Sequence, residues 1–162
     1  MDQPNIERLP TESTIVPVGV SFQRVKAPPP NLAAIHKAFP GVIGRTGIVF
    51  AYWDVVYDPD DAGLTAPIMA HEMTHLQRQR RHGSAAAWWD IYLADPEFRL
   101  GEEIVACRAE LEVFSNGPPL RNRKQRAAYR DAIAERLSSR VYGYMIRKKD
   151  ALAALKVEAD YG

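Results

Sequence analysis

Apolar and polar positions divide the chain into a β-branched, turn-rich first part and a helical remainder. The segment STIVPVGVSFQRV (13–25) reads as one or two short strands, with Pro17 and Gly19 marking an edge or a bend. APPP (27–30) is a stiff spacer, after which Asn31 can cap a short helix running to about Phe39. PGVIGRTG (40–47) is rich in turn formers. IVFAYWDVVY (48–57), β-branched and aromatic, is the strongest strand signal, and DPDDAG (58–63) breaks it.

From Thr65 the period becomes helical. Thr65 is a fair N-cap, Pro67 suits a first turn, and the stop falls at His82–Gly83. A second helix is expected from Ser84 to about Ala94, before Pro96. A third is expected from Pro96 to Ser115, ended by NGPP. Residues 121 to about 159 read as one or two helices, broken near Gly143. Strands precede helices, so the expected class is α+β, organised as one domain over 1–162. That domain has a strand-rich part (13–57), a central helical part (65–115) and a basic helical part (121–159).

Composition narrows the class. At 162 residues, 46% hydrophobic and 25% charged, the chain can bury a core and is not of disordered composition. The single cysteine, Cys107, excludes an internal disulfide. No apolar run approaches the roughly 20 residues that span a bilayer, and the N-terminus lacks the basic start and apolar stretch of a secretory signal. The expected location is therefore cytoplasmic. The net charge of +1 hides an asymmetry: residues 119–162 hold 11 basic and 5 acidic groups, a surplus of 6. Such a surplus is either a solvated helical surface or an attraction for nucleic acid.

The chemistry lies in APIMAHEMTHLQRQRRHG (66–83). His71 and His75 are four apart and project from one helical face, where two imidazoles can hold one metal ion at roughly 2.0–2.1 Å. Glu72 is one step round the helix, placed to take a proton from a metal-activated water. Met69, Met73 and Leu76 form a separate apolar stripe, predicting one face on the core and the other lining a cleft. The ordinary alternative is a surface helix with two solvated histidines.

A catalytic zinc site needs a third protein donor. In PEFRLGEEIVACRAELEVF (96–114), Leu100, Ile104, Cys107, Leu111 and Phe114 make a core stripe, flanked on opposite sides by Glu102 and Glu103. Either carboxylate could point into a half-buried site. His36 and His82 compete, although His82 sits just past the helix and is awkwardly placed to join the other two. Arg99, one turn before Glu103, suggests a surface salt bridge or an oxyanion partner. Cys107 suits a small buried hydrophobe, and Trp88 and Trp89 suit packing, one of them able to wall a cleft. Tyr142 and Tyr144 are possible transition-state donors that nothing in the spacing singles out.

HEMTH (71–75) with EIVA (103–106) resembles the gluzincin zinc metallopeptidases. HEMTHLQRQ with YLADPEFRLGEEIVACRAE is similar to small metallopeptidase-like proteins of bacteriophage and bacterial genomes, over about residues 48–114. The resemblance implies a minimal zincin-like fold and a Zn2+ ion held by His71, His75 and Glu103. It makes Glu72 the general base, and Ala106 the small residue that lets two helices approach. Related gluzincins often carry an aspartate where this chain has Cys107; Glu110, one turn further, is the candidate to orient a ligand histidine instead. The resemblance also makes the strand near 48–57 a cleft edge for an extended peptide or protein substrate.

Two other classes compete. One is a catalytically silent metallopeptidase-like component that binds a virion or assembly partner, and is then virion-associated. The other is a nucleic-acid-binding protein using RNRKQR (121–126) and RKK (147–149), which leaves the histidine–glutamate pattern without a role.

Overall fold

In a computed structural model of the chain, residues 22–156 are described. The architecture is α+β, a small sheet followed by helices. β1 (Gln23–Val25) pairs in parallel with β3 (Val55–Tyr57), and β2 (Phe50–Tyr52) pairs with β3 antiparallel. The order β1-β3-β2 leaves β2 as an edge. Most of the strand expected over 13–25 lies outside the described residues; β1 occupies its last three.

The single strand expected over 48–57 is instead a hairpin. Register pairs Tyr52 with Val55, so Trp53 and Asp54 form a two-residue turn. Trp53 adopts a φ of 59°, a left-handed conformation that a bulky side chain takes only when its surroundings hold it there. The holder is Gln79, fully buried. Its Oε1 accepts from the Trp53 N–H at 2.7 Å and its Nε2 donates to the Ala51 carbonyl at 2.9 Å. Gln79→Ala is expected to destabilise the protein by roughly 2–3 kcal/mol, through a buried N–H left unpaired and a cavity. Chemical denaturation measures it, and a change below about 0.5 kcal/mol would mean the turn stands unaided.

The helices follow their local signals closely. They are α1 (Leu32–Ala38), α2 (Ala66–His82), α3 (Ala85–Ala94), α4 (Pro96–Asn116), α5 (Arg123–Leu137) and α6 (Lys148–Ala154). Gly83, at φ 86°, ends α2 in the left-handed conformation that spares glycine a Cβ clash. Ser84 and Asp95 accept backbone N–H bonds at the starts of α3 and α4, and Asn122 with Gln125 closes a capping box on α5. Asn31 precedes α1 as expected, but its side chain makes no capping bond. The break near Gly143 separates α5 from α6 and holds a 3-10 turn, Arg140–Tyr142.

Two apolar clusters flank the central helices. Leu100, Ile104, Cys107 and Leu111 of α4 pack with Ile133, Leu137 and Leu155. Ile35, Phe39, Phe50, Trp88, Trp89 and Tyr92 form the second, between α1, the hairpin and α3. Phe114 leaves the expected core stripe and stacks on Tyr129, ring centroids 3.7 Å apart.

α2 packs most extensively on α4; its His71 and His75 face lines a cavity as expected, but the expected apolar stripe is corrected in part. Met69 and Met73 are only half-buried, whereas His71, Glu72, Thr74, His75, Leu76 and Gln79 are buried. The polar face of the motif is turned inward. No helix among the described residues is long and apolar enough to cross a membrane.

Candidate metal centre

Helical spacing brings His71 and His75 to the same face of α2, and α4 sets Glu103 against both. His75 Nε2 lies 3.2 Å from His71 Nε2 and 3.1 Å from Glu103 Oε1; His71 Nε2 lies 3.4 Å from Glu103 Oε2. A tetrahedral ion with bonds of about 2.0–2.1 Å has donor–donor edges of about 3.3 Å. Both Glu103 oxygens enter these distances, and one donor atom from each of the three buried residues lies within 4.8 Å of the other two, a group that could hold one metal ion. Glu103 Oε2 supports the fit further, because it is buried without a hydrogen-bond partner among the described residues. Such an oxygen is costly to bury unless something cationic meets it.

The donors are oriented from behind. His71 Nδ1 meets Glu110 Oε2 at 2.9 Å. A carboxylate only accepts, so Nδ1 carries the proton and Nε2 is free to present a lone pair to an ion. Glu110 also accepts from Tyr129 Oη at 2.9 Å and from Arg136. Glu103 Oε1 accepts from Tyr92 Oη at 2.6 Å. The expectation for Glu110 as the group that orients His71 agrees with this geometry. Tyr92, Tyr129 and Arg136 were not legible as site neighbours. Arg136 left a signal, since it sits three residues after Ile133 and beside Leu137, on the apolar face of α5.

A second trio, His71, Cys107 and Glu110, also lies within coordinating spread. It is the poorer cation site. The Arg136 guanidinium already contacts both Glu110 and Cys107, so positive charge is supplied there and Glu110 has its donors.

The remaining sequence candidates fall elsewhere. Glu102 is held by Arg78, Nε at 2.5 Å and Nη2 at 2.7 Å, and accepts from Trp88 Nε1 at 3.1 Å. It ties α2, α3 and α4 together and belongs to neither trio. His36 is half-buried on α1 and His82 is exposed at the end of α2; neither joins a trio. Among the described residues Arg99 makes no surface salt bridge. It is buried, donates to the Tyr92 carbonyl at 2.7 Å, and lies 4.8 Å over the Phe39 ring. Tyr144 is exposed, whereas Tyr142 lines the same cavity as His71, Glu72, His75 and Glu103. Several cations of the basic C-terminal part are engaged within the chain, Lys148 with Asp131 and Glu135, Arg147 with Asp150.

Electrostatics match a site that exchanges a proton for a cation. Burial opposes charge on His71, but its contacts with Cys107 Sγ and with the Glu103 and Glu110 carboxylates outweigh it and hold its pKa well above the usual range. Burial likewise disfavours the Glu103 carboxylate, yet His75 and His71 pull its pKa well below the ordinary value. A proton therefore sits among these carboxylates on His71, and any metal ion bound there would have to displace it. Glu72 differs: burial raises its pKa, with His71 and His75 offsetting only part.

Glu110 yields a pH prediction. Burial works against its charge, but His71 and Arg136 bring its pKa down from 4.5 to about 2. A depressed folded pKa contributes stability above the unfolded value, lost as pH falls through the folded one. The metal-free protein is expected to lose roughly 3 kcal/mol between about pH 4.5 and pH 2 from this group. Denaturant titrations across that window should show a flatter acid limb in Glu110→Gln; identical limbs would remove Glu110 as the source.

No family model, curated protein or solved structure matches this chain.

Proposed function

We propose that the protein is a zinc-dependent metallopeptidase whose ion is held by His71, His75 and Glu103. One observation carries this reading: His71, His75 and Glu103, buried on two helices, bring donor atoms close enough to share one metal ion, with a Glu103 oxygen that makes no hydrogen bond among the described residues, beside a buried Glu72 on the same cavity. The two-imidazole, one-carboxylate set suits zinc. The resemblance of HEMTH and EIVA to gluzincins points the same way.

When bound, zinc supplies Lewis acidity, lowering the pKa of water toward about 7 and polarising a carbonyl. The chain's own residues do the proton work. Glu72, its pKa raised by burial, takes a proton from the attacking water and gives it to the leaving nitrogen as the C–N bond breaks, leaving a carboxylic acid and an amine. Tyr142, kept protonated by burial and by Glu103, supplies an O–H on the cavity wall for the developing oxyanion. Glu110 and Tyr92 hold His71 and Glu103 in place for the ion.

Zinc-loaded protein is expected to cleave an unbiased pool of quenched peptides, to lose cleavage on chelation and to regain it on adding one equivalent of zinc. Cleavage that persists after chelation, or protein that retains no divalent ion, would refute the reading.

A further inference from the structure

The basic motif RNRKQR (121–126) takes no part in the metal centre, and the fold sets it on a projecting helix end. α5 is buried only through Ile133, Ala134 and Leu137, in its second half. Every residue from Asn122 to Ala128 is exposed, so the first half stands clear of the core on all sides. It is nevertheless held in shape. Asn122 and Gln125 close the capping box, and Tyr129 stacks on Phe114. The Arg121 guanidinium lies 4.9 Å over the Phe114 ring, and Arg126 Nη1 donates to the Arg121 carbonyl at 2.6 Å.

Charge is sorted along this helix. Its two acids, Asp131 and Glu135, are matched by Lys148 of α6 at 3.0 and 2.9 Å. No acidic residue lies between Glu112 and Asp131. Arg121, Arg123, Lys124 and Arg126 therefore crowd the other end, and among the described residues none of the four has a carboxylate partner. Three of them stand in the first turn, at the positive end of the helix dipole, where acids stabilise and cations do not. An anion from outside would relieve that arrangement.

The chemistry of this end selects among polyanions. A protein partner needs an apolar centre to its interface, and here the exposed side chains beside the cations are Leu120, Ala127 and Ala128. Phe114 and Tyr129 cover each other, so neither ring is open for the base stacking that single strands use. Duplex DNA carries a charge about every 1.7 Å of axis. Its major groove, about 12 Å wide, admits a helix, and the small Ala127 and Ala128 let this one approach closely.

We propose that the first half of α5 binds duplex DNA, lying in the major groove with Arg121, Arg123, Lys124 and Arg126 on the phosphates. This surface is separate from the metal centre, and neither reading depends on the other.

The test titrates a fluorescein-labelled DNA duplex of mixed sequence with the full chain, zinc-loaded and after chelation, and follows anisotropy between about 50 and 200 mM salt. Both states are expected to bind equally, log affinity falling against log salt with a slope of roughly −3.6 for four phosphate contacts. Joint replacement Arg123→Gln, Lys124→Gln and Arg126→Gln is expected to weaken binding at least about a hundredfold and to flatten the slope to about −0.9. Removing three exposed cations elsewhere, by Lys37→Gln, Arg45→Gln and Arg80→Gln, changes the net charge equally and is expected to cost less than about threefold. Ala127→Glu, which keeps a good helix former and adds an anion four residues after Arg123, serves as a second variant should the first lose helix; about tenfold weaker binding is expected. Duplex RNA, whose major groove is too narrow for a helix, is expected to bind at least about tenfold more weakly. Binding lost on chelation, a slope shallower than about −1, or equal losses in the two triple variants would overturn the proposal. So would duplex RNA or polyglutamate competing as well as DNA, or phosphatidylglycerol vesicles binding more tightly than DNA.

Discussion

Glu72→Gln is expected to bind zinc as the unaltered protein does and to cleave peptides at least about a thousandfold more slowly. The amide keeps the shape of the carboxyl but cannot accept a proton from water. Its carboxyl is buried with a raised pKa, so neutralising it costs the fold little. Single-turnover kinetics beside metal analysis of the same preparation give the answer. Turnover within tenfold of the original, at full metal occupancy, would take the base role from Glu72.

The second large effect is a contrast between neighbours. Glu103→Gln is expected to weaken zinc binding by at least about a hundredfold, because it replaces an anionic donor with a neutral amide. Glu102→Gln is expected to leave zinc binding unchanged and to lower stability by about 3 kcal/mol, because the buried side of the Arg78 pair is broken and the Trp88 bond weakened. Zinc competition and denaturant unfolding on both variants read the two properties separately. The reverse pattern would make Glu102 the donor.

These neighbours also show where sequence reasoning stops. The period of α4 places Glu102 and Glu103 on either side of one apolar stripe, and periodicity treats them alike. The choice depends on what approaches from other helices: Arg78 and Trp88 occupy Glu102, while the two imidazoles face Glu103. The α+β class and the helix limits were legible because their causes are local. Ser84, Asp95, Asn122 and Gly83 stop or start helices through bonds within a few residues. The hairpin was not legible, because its turn has Trp53–Asp54 in place of the glycine or asparagine that ordinarily marks one. Its support comes from Gln79, 26 residues away from Trp53. The inward orientation of the polar face of α2 was hidden for a related reason. A histidine with carboxylate partners can be buried, and those partners lie on α4.

The clamp on the hairpin has a consequence for behaviour at high concentration. β2 is the last strand of the sheet, and unpaired carbonyls along a sheet edge recruit strands from neighbouring molecules. Ala51, at the centre of this three-residue strand, has its carbonyl occupied by Gln79 Nε2 and by Trp89 Nε1. A foreign strand therefore meets a side-chain cap where it would need an acceptor, and the same cap blocks a substrate from simply extending the sheet there. The protein can keep a cleft open next to its sheet without offering a template for its own aggregation.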